Sequence, residues 1–298
     1  MKPHGNSYLS RFGARGALGL GLLILGLVAG VGAVPAVAAP AGPSTASVSA
    51  RIPPAPSASS SGNGYVALGD SFTSGQGAPP YTTASGDCRV SRYAGYPVVT
   101  GLLSPYRLVA NQSCAGASTA AIPTQLSGVS PATKLVTLTV GGIDAGSNQV
   151  FAACAPDLMS PACQPAIEAS LGSLASLGPI LAVTYAGIAQ ALPAAKVAVL
   201  SYPLQFEPEL SDFGDQINAG TEALNTVIQA AVAGVNNPRI VFVDATQEFA
   251  GHGIGSSVPY IAFNPADLAA LPNFHPNALG NSLGYYRALV NDGVLRRP

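Results

Sequence analysis

The sequence predicts an α/β fold, a three-layer αβα sandwich on a five-stranded parallel sheet, over residues 64–298. Three observations carry this prediction. Short β-branched runs alternate with longer helical stretches, which supply the crossovers that parallel strands need. The runs are apolar throughout, as strands covered on both faces are. Charged residues make up only 9% of the chain against 48% apolar ones, so one weakly charged globular domain is expected.

The strand candidates are Tyr65–Leu68, Arg107–Ala110, Leu135–Val140, Val197–Ser201 and Ile240–Val243. Helices are expected near Tyr96–Leu103, Gln164–Leu192, Gln216–Val235 and Leu279–Leu289. No internal repeat interrupts the alternation.

Residues 1–38 read as a signal peptide. Lys2, Arg11 and Arg15 precede an uncharged run from Gly16 to Pro40, and Ala36-Val37-Ala38 offers small residues for cleavage. The competing reading is an uncleaved anchor, since the run is long enough to span a bilayer; its glycines and the A-x-A site favour cleavage. Residues 39–63, rich in Pro, Ala and Ser, form a flexible linker. No second span is expected after residue 64.

The whole chain has 13 basic and 14 acidic residues, a net charge of −1. Losing the three basic residues of the signal leaves 10 against 14, a net −4. No basic face is available for nucleic acid. Cys88, Cys114, Cys154 and Cys163 all lie in the exported part, where an even count favours disulfides. Of three possible pairings, Cys88–Cys114 with Cys154–Cys163 closes local loops and is favoured. With no C-x-x-C or H-E-x-x-H motif and two mature histidines, neither a metal site nor a cofactor is expected.

In open parallel sheets, ligands sit beyond the carboxyl ends of the strands. The first strand ends in Gly69-Asp70-Ser71, where a serine can present its hydroxyl and its own N–H. The bland alternative is a helix N-cap. Beyond the second strand, Gly116 permits close backbone approach, or only a turn. The third strand runs into Gly141-Gly142-Ile143-Asp144, and His275-Pro276-Asn277 precedes the last helix. A loop histidine there suits a general base.

Together these blocks resemble the SGNH (GDSL) hydrolase family, over about residues 64–290. The resemblance implies a flavodoxin-like sandwich that hydrolyses carboxylic esters through an acyl-enzyme. Ser71 would be the nucleophile, His275 the base, and the Ser71 and Gly116 N–H groups the oxyanion donors. Within the family, the cysteine spacings and Phe249-Ala250-Gly251-His252 look most like secreted actinobacterial esterases and lipases.

The chain departs from the family pattern at two places. The family's third block reads Gly-x-Asn-Asp, its Asn donating to the oxyanion, whereas Ile143 cannot donate; losing such a donor typically costs ~10²–10³ in rate. Asn148 or Asn111 is a candidate replacement. Three residues before His275, where the family usually has Asp, stands Pro272, whose backbone carbonyl is expected to orient the imidazole in a Ser–His dyad. The alternative is a triad through Asp267.

Gly280-Asn281-Ser282-Leu283-Gly284 matches the G-x-S-x-G elbow, but no strand precedes it and no histidine follows, so Ser282 is rejected. His252 reads as structural or cavity-lining. Glu207, Glu209, Asp212 and Asp215 read as the solvated start of a helix. The expectation is a monomeric, exported or envelope-associated esterase or lipase acting on a small-molecule or lipid acyl ester. Ile143 motivates one rival, a non-catalytic binding protein on the same fold. Acyl transfer to an envelope sugar is another.

Overall fold

The computed structural model describes residues 62–154 and 160–296. The expected signal peptide, and all but the last two residues of the linker, lie outside the described residues. In chain order the elements are β1 (Gly64–Gly69), α1 (Ser71–Ser74), α2 (Tyr96–Leu103), β2 (Arg107–Asn111), α3 (Ile122–Gln125), β3 (Leu135–Thr139) and α4 (Ser147–Cys154). They continue with α5 (Cys163–Ala191), β4 (Lys196–Leu200), α6 (Asp212–Val235), β5 (Ile240–Val243), α7 (Thr246–Phe249), β6 (Ile261–Ala262) and β7 (His275–Pro276). A π-helical turn, Gly280–Tyr285, leads into α8 (Tyr286–Asn291).

The main sheet has the order β2-β1-β3-β4-β5, and every neighbouring pair is parallel. Side chains along each strand divide between two cores, because successive residues point to opposite faces. Val66, Leu68, Val136, Leu138, Val197 and Val199 pack with Leu181, Tyr185 and Ile188 of α5 and Ile228 of α6. Tyr65, Ala67, Leu135, Ala198 and Leu200 face the other way, against Tyr96, Phe249, Tyr285 and Leu289. Both faces are therefore covered, which is why the strands read as continuous apolar runs. β2 alternates exposed and half-buried residues, as suits an edge strand.

The expected strands and long helices are present to within a few residues. α6 starts four residues earlier than expected, at Asp212. The Ser211 hydroxyl caps it by accepting from the Gly214 N–H at 3.0 Å, and Asp212 and Asp215 occupy its first turn. The last helix begins as a π turn, in which Gly284 lies so close to Phe249 that a Cβ there would sit 2.2 Å from the ring. The short helices α3, α4 and α7 went unread in the sequence, as did the two-residue strands β6 and β7, which pair antiparallel; β7 carries His275. One expectation needs correction. α5 does have the length and apolar composition of a membrane span, although no such run was expected after residue 64. In the fold, its Leu177, Leu181, Tyr185 and Ile188 are buried against the sheet.

Candidate active site

The end of β1 is fixed by backbone crowding. Gly69 has φ +112, and a Cβ on it would lie 2.1 Å from the Thr139 carbonyl oxygen of β3, so only glycine fits. The Gln125 side chain mimics a neighbouring strand, accepting from the Gly69 N–H at 2.7 Å and donating to the Gly69 carbonyl at 2.8 Å. Asp70 then caps α1, accepting from the Phe72 N–H at 3.0 Å. Ser71 follows as the first residue of α1, only 8% exposed.

Asp70 anchors a buried polar network. Its carboxylate accepts from the Thr139 hydroxyl at 2.7 Å and from the Tyr202 hydroxyl at 2.5 Å. The Tyr202 oxygen in turn accepts from the Gly142 N–H at 3.0 Å. Because Thr139 gives its proton to Asp70, the Thr73 hydroxyl beside it, at 2.8 Å, donates to Thr139. Burial raises the Asp70 carboxyl to about 6, against the opposing pull of its hydrogen-bond donors.

The histidine loop is tied to the serine loop at two points. Gln76 Nε2 donates to the Leu271 carbonyl at 2.6 Å, and Gly77 lies against the backbone of His275 and Pro276. Phe274 adopts φ +62, turning the chain sharply. His275 Nε2 lies 2.7 Å from Ser71 Oγ, and His275 Nδ1 lies 2.7 Å from the Asn273 carbonyl. Only an Nδ1–H can satisfy that carbonyl, so Nε2 carries the lone pair that accepts from the serine. Burial lowers the imidazole to about 4, so it is neutral at pH 7.

The expected role of Pro272 is thereby corrected. Its carbonyl accepts the backbone N–H of His275 at 3.3 Å, and the turn at Phe274 brings the carbonyl of Asn273 to the imidazole. Asp267, the alternative partner, is exposed and accepts from the Ala269 N–H at 3.2 Å.

Gly116 sits on an exposed loop with φ +79. The loop is held by the Cys88–Cys114 disulfide and by Cys114 N–H donating to the Gly69 carbonyl at 3.0 Å. The second disulfide joins Cys154 to Cys163, linking α4 to α5. Asp144 fastens the far side of the Gly116 loop, accepting from the Thr119 N–H at 3.0 Å and its hydroxyl at 2.6 Å.

Ser71 and His275 open on a cavity of about 230 Å³ that also reaches Ile143 and Asn148. Its remaining wall is largely apolar, with Val150 and Phe151 of α4, Leu171 and Leu174 of α5, and Leu224 of α6. Gly116 is not part of this lining, and neither is Asn111, whose Oδ1 accepts from Ser113 N–H at 3.2 Å. The sequence reading missed Tyr202 and Gln205, both buried and both lining the cavity. The position of Tyr202 just beyond β4 was the available signal.

The remaining candidates lie elsewhere. The Ser282 hydroxyl donates to the Ala278 carbonyl at 2.8 Å within the π turn. His252 stacks on Tyr260 at 3.8 Å, its Nδ1 lying 2.9 Å from the Val258 carbonyl. Glu207 accepts from Gly253 N–H at 2.7 Å, and Asp215 from Glu209 N–H at 3.0 Å. Among the described residues no three His, Cys, Asp or Glu side chains gather as metal ligands.

Residues 67–283 match the model of the GDSL-like lipase/acylhydrolase family. A protein named Lipase 1 from Streptomyces coelicolor is 31% identical over 235 residues, covering 76% of this chain and 85% of that one. The structure of an extracellular lipase from Streptomyces rimosus superposes with a TM-score of 0.69 at 32% identity, covering 77% of this chain and 99% of that one. Phospholipase A1 from Streptomyces albidoflavus gives 0.67 at 29% identity, over 77% of this chain and 99% of its own.

Proposed function

The chain belongs to the GDSL-like lipase/acylhydrolase family and is a carboxylic ester hydrolase; from that premise we propose that it works outside the cytoplasm through a Ser71–His275 dyad. The observation that carries the dyad is the 2.7 Å contact between His275 Nε2 and Ser71 Oγ, with Nδ1 held by a backbone carbonyl. Export is supported by the sequence of residues 1–38 and by two disulfides, which persist in oxidising compartments.

In this mechanism His275 takes the Ser71 proton as Oγ attacks the ester carbonyl. The N–H groups of Ser71 and Gly116 hold the oxyanion. The imidazolium gives its proton to the departing alcohol. His275 then activates a water that attacks the acyl-enzyme, and Ser71 recovers its proton on release of the acid. The Asn273 carbonyl fixes the tautomer in place of a carboxylate. It carries no full negative charge, so it stabilises the imidazolium less than an Asp would.

The apolar wall formed by α4, α5 and α6 suits an acyl chain. The test is hydrolysis of p-nitrophenyl octanoate by residues 39–298, with fluorophosphonate labelling. Wild type should turn over and label at Ser71, and Ser71→Ala should do neither. Turnover by Ser71→Ala at the wild-type rate would refute the dyad. Folded wild-type protein that neither labels nor hydrolyses would favour the binding-protein reading that Ile143 motivates.

A further inference from the structure

Among the residues lining the Ser71–His275 cavity, one is a helical glycine, Gly220 of α6. Glycine in a helix interior costs backbone entropy and packs no side chain, so its presence there needs a reason. Packing supplies one for Gly214 in the same helix, where a Cβ would lie 3.0 Å from Phe206. Gly220 has no such neighbour: nothing lies within 4 Å of the position a Cβ would take. Nor does the backbone require glycine, since Gly220 lies well inside the regular helix.

The open space beside Gly220 belongs to the cavity. Residues three and four apart share a helix face. Gln216 and Ile217, one turn before Gly220, line the cavity, and so does Leu224, one turn after it. A side chain at 220 would therefore enter the same space. Leu171 and Leu174 of α5 belong to this wall too, so its α5–α6 side is apolar, whereas Ser71, Asn273 and His275 form the reacting end. The leaving alcohol must stay beside His275, which protonates it, and the acyl chain then takes the apolar side.

We infer that Gly220 is a specificity-determining residue. The side chain it lacks leaves room that the acyl chain fills, and Gly220 thereby sets how long an acyl group the site accepts. This rests on the esterase reading above and adds to it the residue that reads chain length.

The experiment compares kcat/KM for p-nitrophenyl butanoate and p-nitrophenyl octanoate, which differ only in the acyl group, in wild type, Gly220→Ala and Gly220→Leu. Gly220→Leu should lower the octanoate-to-butanoate ratio about tenfold or more, chiefly by raising KM for the octanoate, because its methylenes lose their pocket. Gly220→Ala should move the ratio the same way by less. Neither variant's melting temperature should fall, since both new residues form helix better than glycine and meet no obstacle. A purely structural glycine would give the opposite, a lower melting temperature with an unchanged ratio. The ratio between octyl and ethyl butanoate, which lengthens the alcohol instead, should stay at its wild-type value. An unchanged acyl ratio, a lowered melting temperature in either variant, or a loss that follows the alcohol series would overturn this inference alone. Turnover of neither p-nitrophenyl ester by wild type would count against the esterase reading itself.

Discussion

The carboxylate of Asp144 holds Thr119 through both its backbone N–H and its hydroxyl, joining the loop after β3 to the loop that carries Gly116. This clamp and the Cys88–Cys114 bridge hold the loop that carries Gly116, the oxyanion donor proposed above. Asp144→Ala should lower kcat/KM about 10- to 100-fold, mostly through kcat, at about 1.4 kcal/mol per decade. Steady-state kinetics beside thermal melts check this; a lower melting temperature with unchanged kcat would make Asp144 purely structural.

Ile143 lines the cavity where the family pattern has an amide donor. Ile143→Asn should raise kcat, by up to about 10²-fold if the new amide reaches the oxyanion. Turnover of p-nitrophenyl octanoate measures it. An unchanged or lower kcat would mean that the two N–H groups already provide what the site needs.

Gly77 is the point where the serine loop passes the histidine strand. A Cβ there would lie 2.3 Å from the Pro276 carbonyl oxygen and 2.6 Å from that of His275. Because both obstacles are backbone atoms, Gly77→Ala must push β7 away. The expected cost is about 1–3 kcal/mol of stability, with a loss of kcat as the Ser71–His275 contact lengthens. A melt and a rate measurement on the same sample decide it.

The pH dependence has two opposing parts. Protonating His275 removes the base, so kcat/KM should fall on the acid side near pH 4, well below the ordinary histidine value of 6.5. For stability, the lowered His275 value means that the unfolded state protonates first. Its contribution is present above pH 6.5 and is lost as pH falls to about 4. Asp70 is raised to about 6, so its contribution is present below 3.8 and lost as pH rises through about 6. Between pH 4 and 6 the two offset each other. A His275→Asn variant keeps only the second, so its melting temperature should rise relative to wild type as pH falls across that range. Parallel melting curves for the two proteins would contradict the His275 shift.

The fold and the chemical blocks were legible in the sequence for definite physical reasons. A strand covered on both faces must be largely apolar, and the runs of β1, β3, β4 and β5 announced themselves that way. Gly69 is forced by the Thr139 carbonyl, so Gly69-Asp70-Ser71 stands out locally. The hairpin bearing His275 was not legible, because two-residue strands carry no periodicity.

By itself the sequence determined which residues stand at the ends of the main strands, Ser71 among them, and the His275-Pro276-Asn277 block singled out the histidine. Only the tertiary structure decided which carbonyl faces the imidazole. The positive φ of Phe274 puts Asn273 there rather than Pro272. Tyr202 and Gln205 belong to the same class. In the sequence they are ordinary loop residues. Burial beside Asp70 makes the first a hydrogen-bond donor to a carboxylate, and burial leaves the Oε1 of the second without a hydrogen-bond partner. A side chain's polarity is local, but whether that polarity is satisfied depends on what the fold brings to it.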